Sequence, residues 1–170
     1  MTIRRLLAVT ATLATACAAS DATAQDPGLD FQGLSGFAVL DGTCQRFIVA
    51  GKDLTNECDG TVVNTMYEST GRTGFAFVTR SNTSVTFSGV DTPAEGDQAH
   101  SVVDRVFFSI ENTESDPQAV KSDVLQATGT CTYTNPYAGR SRINCSASTK
   151  DGPFIASFLS DGNPPKIERL

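Results

Sequence analysis

In residues 129–145, GTCTYTNPYAGRSRINC, a cysteine stands near each end and residue types alternate between them. Setting Cys131 against Cys145 as a cross-strand pair also sets Tyr133 against Ile143 and Gly129 against Ala147, all on one face. The other face then collects Thr130, Thr132 and Thr134 on one strand and Arg142, Asn144, Ser146 and Ser148 on its neighbour. This apolar-in, polar-out division is the period-two pattern of a half-buried β-hairpin. Between the strands, Asn135-Pro136-Tyr137-Ala138-Gly139-Arg140 supplies Pro where φ must be about −65° and Gly where φ turns positive, so the segment is read as a turn.

The same spacing occurs once more, in Gly42-Thr43-Cys44 to Cys58, with Gly51 midway along the loop. Outside those few residues the two loops differ. Two independent staples are therefore favoured over a duplicated unit.

Residues 1–24 carry Arg4-Arg5, an apolar run from Leu6 to Ala19 and then Ala22-Thr23-Ala24. A charged start, an apolar centre and a small-residue cleavage site make a secretory signal peptide, cut after Ala24. The apolar run is too short to cross a hydrocarbon core of about 30 Å as a helix, so no stable membrane insertion is expected. Lipidation at Cys17 would call for a bulky aliphatic three residues earlier, where Ala14 stands, and Arg4-Arg5 lacks the flanking pattern of twin-arginine export. Export to the periplasm or the medium is the expectation.

Losing Arg4, Arg5 and Asp21 with the leader moves the net charge from −6 to −7. No run of Lys or Arg offsets that acidity, which argues against a nucleic-acid partner. The mature chain is the length of one domain with its own core, and a monomer is expected. Its four cysteines, Cys44, Cys58, Cys131 and Cys145, are an even set in an oxidising compartment and read as two disulfides. Three pairings are open. Cys44 with Cys58 and Cys131 with Cys145 is preferred, because facing residues on antiparallel strands bring their Cα atoms within disulfide reach. There is no C-x-x-C and the lone histidine is His100, so no metal and no cofactor is expected.

Residues 25–33 read as a flexible arm, 34–160 as a single all-β domain and 161–170 as a mobile tail. Leu34 to Leu40 reads as a short strand, Gln45 to Val49 as another, and Leu54 to Glu57 as its return toward Cys58. Thr61 to Tyr67 is β-branched and aromatic, a strand by composition. Gly74 to Gly89 forms a hairpin with Phe75 against Phe87 and Phe77 against Val85. Asp91 to Ala99, with Pro93 and Gly96 among acids, reads as a loop. Val102 to Ile110 is a strand with Val102, Val106, Phe108 and Ile110 inward and Asp104 as the misfit on that face. Asp116-Pro117 caps a helical turn reaching about Ser122. After the opening hairpin, Lys150 to Pro153 turns, and Phe154 to Ser160 returns with Phe154 opposite Thr149, Ala156 opposite Ala147 and Phe158 opposite Cys145.

Eight or nine short strands joined mostly by tight turns predict an antiparallel meander, closed or nearly closed as a barrel, with a two-sheet sandwich as the alternative. The string of G-T-C, C-D-G, Gly71-Arg72-Thr73-Gly74-Phe75, Thr86-Phe87-Ser88-Gly89, the second G-T-C and Ser160-Asp161-Gly162 resembles small exported bacterial proteins of unassigned function. That resemblance covers most of the mature chain. It implies export, disulfides and a β domain, and no activity.

No serine sits in a nucleophile-elbow context, and the cysteines are used in disulfides. The expected function is therefore a non-enzymatic binding module for a protein partner or small ligand. The alternatives are a hydrolase-like enzyme drawing on His100 with Asp91, Glu95, Asp97 and Asp104, or a structural envelope component. The favoured contact surface is the hairpin tip, where Tyr137, Arg140 and Arg142 bring an aromatic and two cations to an acidic protein. Mass spectrometry of the exported protein should find Gln25 as the first residue; an intact Met1 or an acylated Cys17 would overturn this reading of the leader.

Overall fold

The computed structural model describes residues 35–81, 83–111 and 120–169. The leader, the arm and the helical turn expected from Pro117 lie outside these residues, except that 120–122, its expected end, are strand. The strands are β1 (Gly36–Val49), β2 (Lys52–Asp53), β3 (Cys58–Tyr67), β4 (Arg72–Thr79), β5 (Thr83–Glu95), β6 (Gln98–Glu111), β7 (Val120–Thr134), β8 (Arg142–Thr149), β9 (Gly152–Ser160) and β10 (Lys166–Arg169). Leaving out β2 and β10, each strand pairs with the next, and β9 pairs back onto β1. The sheet is thus a closed eight-stranded antiparallel barrel with two added strands, not a sandwich.

Closure depends on β1 serving two neighbours. Gly36 to Asp41 pair with β3, and Gly42 to Ile48 pair with β9. Its length absorbs what the sequence presents as two separate strands, 34–40 and 45–49. Both expected disulfides are present. Cys131 faces Cys145 directly within the β7–β8 ladder, at a Cα separation of 4.1 Å. Cys44 and Cys58, 6.2 Å apart, instead lie past the end of the β1–β3 ladder, where β1 has turned to β9. One spacing therefore makes two kinds of staple.

The interior is filled by side chains, as the small girth of an eight-stranded barrel requires. Phe47, Phe75, Phe77, Phe87, Phe154 and Phe158 are all buried. Phe77 stacks on Phe47 at 5.9 Å and meets Phe87 edge-on at 5.8 Å. Each buried phenylalanine stabilises the fold by roughly 1.5–3 kcal/mol. The pairs Phe75 with Phe87, Phe77 with Val85, Tyr133 with Ile143 and Gly129 with Ala147 all stand as the alternation predicts.

Four local expectations differ. Residues 91–99 are not a loop: β5 and β6 continue as a hairpin whose tip is Gly96-Asp97, with Asp91 opposite Ser101 and Thr92 opposite His100. Pro93 is tolerated there because the ladder is irregular between Thr92 and Glu95, and a missing N–H is harmless at a bulge. Val102 faces outward and is 54% exposed, while Val103 is buried. A bulge at Asp104 inserts one residue between Val103 and Arg105 and so exchanges the faces, leaving Val106 inward. The β8–β9 register lies two residues from the expected one, with Phe154 opposite Ala147, Ala156 opposite Cys145 and Phe158 opposite Ile143. The turn is only Lys150-Asp151, since Gly152 pairs with Thr149; the inward face is kept because a two-residue slip preserves parity. Within the segment read as tail, Lys166 to Arg169 pair with β1 as β10.

The glycines of the two G-T-C motifs do the same work. A Cβ on Gly129 would overlap the Ser146 carbonyl oxygen and lie 2.6 Å from Ala147 Cα; one on Gly42 would overlap the Leu159 carbonyl and lie 2.7 Å from Ser160 Cα. Each lets a long strand coil tightly against its neighbour's backbone. Gly129→Ala is accordingly expected to cost about 1–3 kcal/mol in urea unfolding, with the disulfides intact.

Candidate functional site

The turns at 68–71, 96–97 and 135–141 gather at one end of the barrel. Interior side chains there are polar. Asn64 donates to the Thr73 hydroxyl at 2.8 Å and to the Gly74 carbonyl at 3.1 Å. The Ser101 hydroxyl, buried, donates to the Asp91 carboxylate, and the Tyr133 hydroxyl is directed at the same carboxylate. The Tyr133 ring packs 4.9 Å from Phe75. Burial first, then the Asp91 charge, pushes the phenol up to about 12. Tyr133 is thus a neutral phenol at physiological pH.

The turn after β7 is held at both sides. The Asn135 side chain accepts from the Tyr137 N–H at 2.9 Å, Pro136 opens a short 3₁₀ turn, and Gly139 takes φ of 116°. Ser141 is buried. Its N–H donates to the Ser160 hydroxyl at 2.8 Å, and its own hydroxyl donates to the Thr134 carbonyl at 2.7 Å. The Arg142 N–H donates to the Thr134 hydroxyl at 3.0 Å. The turn is thereby tied to β9 as well as to its own hairpin.

Between this turn and the β5–β6 tip lies a groove of about 630 Å³. Ala94, Gly96, Asp97 and Ala99 form one wall, and Asn135, Pro136, Ala138 and Arg140 the other, with Tyr133 between. Its volume falls in the range of small-molecule sites. A second, shallower area on the outer face spans β7, β8, β9 and β1, and there Ser157 donates to Asn144 at 2.6 Å.

The three residues expected at the contact surface go to three settings. Arg140 lines the groove and makes no hydrogen bond or ion pair among the described residues. Tyr137 stands at the turn, 60% exposed, outside the groove lining. Arg142 lies on the outer face and donates to Gln45 Oε1 at 2.7 Å. His100 and the loop carboxylates are also dispersed. His100 alternates away from inward-facing Ser101, Asp91 serves Tyr133 and Ser101, and Asp97 is at the tip. Asp104 leaves the core through its bulge and receives both guanidinium nitrogens of Arg72, at 2.5 and 3.0 Å. That forked hydrogen bond holds the Asp104 carboxyl below the usual carboxylate range. Among the described residues, no three His, Cys, Asp or Glu side chains are grouped to hold a metal ion.

Sequence reasoning missed the Asp91, Ser101 and Tyr133 cluster. Its signal was the continuation of the β5–β6 pairing, which puts Asp91 opposite Ser101 once 91–99 is read as strand. No family model matches the chain, and no curated protein or solved structure is found similar to it. Among the described residues, no helix is long and apolar enough to cross a membrane.

The raised phenol gives a pH test. A group whose folded pKa exceeds its unfolded value of about 10 contributes stability that is complete below that pH and lost as pH rises toward about 12. Ultraviolet titration should show one of the three tyrosines ionising last, near pH 12, with stability falling across that interval; Tyr133→Phe should remove both effects.

Proposed function

We propose that this chain is an exported, non-enzymatic binding domain that takes a small ligand in the groove between the β5–β6 tip and the β7–β8 turn. The observation that carries the reading is an apolar-walled groove beside a rigidly tied turn whose Arg140 guanidinium makes no hydrogen bond or ion pair among the described residues. A cation on a fixed backbone binds with little ordering cost. Arg is also among the residue types that most often anchor recognition. Two disulfides in the barrel support export, because such bonds persist in oxidising compartments. A non-catalytic role is supported by the nearest polar side chains: Ser101 and Tyr133 are both engaged with Asp91 beneath the groove.

Amide NMR of the mature chain against a fragment library tests this. Hits should move the signals of Ala99, Tyr133 and Ala138. Arg140→Ala should weaken anionic hits by about 1 kcal/mol or more without lowering the Tm. Hits clustering at another surface, or turnover of any hit, would overturn the proposal.

A further inference from the structure

The charges on the two groove walls narrow the ligand class. Asp97 is on the β5–β6 wall and Arg140 on the facing wall, and neither makes a hydrogen bond or ion pair among the described residues. The two are not paired with each other. Ala94 and Ala99 on one side and Pro136 and Ala138 on the other give the groove apolar sides.

Arg140 also borders a second cavity of about 420 Å³ with Asp41, Asp59 and Asp161, none of which is within ion-pair distance of it. Asp161 accepts from the Asn163 N–H at 2.8 Å and from the Asn163 side-chain amide at 2.7 Å, one bond on each oxygen. These bonds, and to a smaller extent Arg140, hold its carboxyl below the usual range. The guanidinium keeps its forked donor set for an incoming carboxylate.

We infer, on the reading of the groove as the binding site, that its ligand is a small zwitterion with an apolar middle, a free amino acid or short peptide. Its carboxylate meets Arg140, its ammonium meets Asp97, and its side chains lie along the alanine and proline walls. A ligand without net charge also avoids repulsion by a mature chain whose net charge is −7. The groove volume of about 630 Å³ suits two or three residues better than a long chain.

Calorimetry and amide NMR with free dipeptides built from Ala, Leu and Phe, with their C-terminal amides, and with their N-acetyl forms test the inference. A free dipeptide should bind and move the Ala99 and Ala138 amides. Amidation should weaken it about tenfold or more, the loss of a charge-assisted pair. Arg140→Gln should abolish the difference between acid and amide, and Asp97→Asn the difference between free and acetylated amine. Both side chains are exposed, so neither change threatens folding. No binding by any free dipeptide, equal affinity for acid and amide, or full affinity in Arg140→Gln would overturn the inference. If other fragments still occupy the groove while the dipeptides do not, only this inference falls; if nothing enters the groove, the proposed function falls with it.

Discussion

Barrel closure rests on one strand changing partners. β1 spends its first half on β3 and its second on β9, and the sheet has no other way to join its ends. The change falls at Gly42, whose missing Cβ lets β9 approach, and is followed by an irregularity between Cys44 and Arg46. The Cys44–Cys58 disulfide spans the place where β1 has left β3. Hydrogen bonding cannot continue there, and a covalent link holds the two strands together. Beyond it, Phe47 takes a bond from the Leu54 N–H and gives its own N–H to the Thr55 hydroxyl, both through the backbone, so the exposed side of β1 is not left unpaired.

Closure also divides the interior along its axis. Phenylalanines and valines fill the middle and one end, and Asn64, Thr73, Ser101 and Tyr133 occupy the other, with Asp91 exposed at its mouth. Polar groups are tolerated inside because each has a partner: no buried side-chain nitrogen or oxygen among the described residues lacks one. The groove lies at this polar end. It is walled by the β5–β6 hairpin tip and a turn that bonds to β7 and β9.

Asp104 shows how a single inserted residue sets the surface around it. Without the bulge its carboxylate would point into a hydrocarbon core, an arrangement that burial makes prohibitive for an unpaired charge. With the bulge it reaches Arg72, which also donates to Ser88 at 3.1 Å and so links β4, β5 and β6 on the outside. The same shift turns Val102 outward, where it pairs with Val90, both exposed.

Much of the fold was legible in the sequence because residue alternation is a local property. The hairpins around Phe75 to Phe87 and Cys131 to Cys145, their registers and the Cys131–Cys145 disulfide followed from which residue types share a face, and the Cys44–Cys58 pair was preferred on its spacing although the two do not face each other across a ladder. Less of the site was legible. Arg140 was visible as a cation in a turn, but its place in a groove depends on the β5–β6 tip, which a Pro- and Gly-containing acidic segment disguises as loop. Arg142 was placed on the polar outer face by the alternation, but its partner there, Gln45, comes from a strand far away in the chain and gave no local signal. Chain order by itself determined the faces and register of the Phe75–Phe87 and Cys131–Cys145 hairpins and the turn between the latter's strands, all set by contacts between near neighbours. Only the tertiary structure decided that β1 would close the ring, that Asp104 would bulge outward and that Asp97 and Arg140 would line one groove, since each depends on strands brought together from distant parts of the chain.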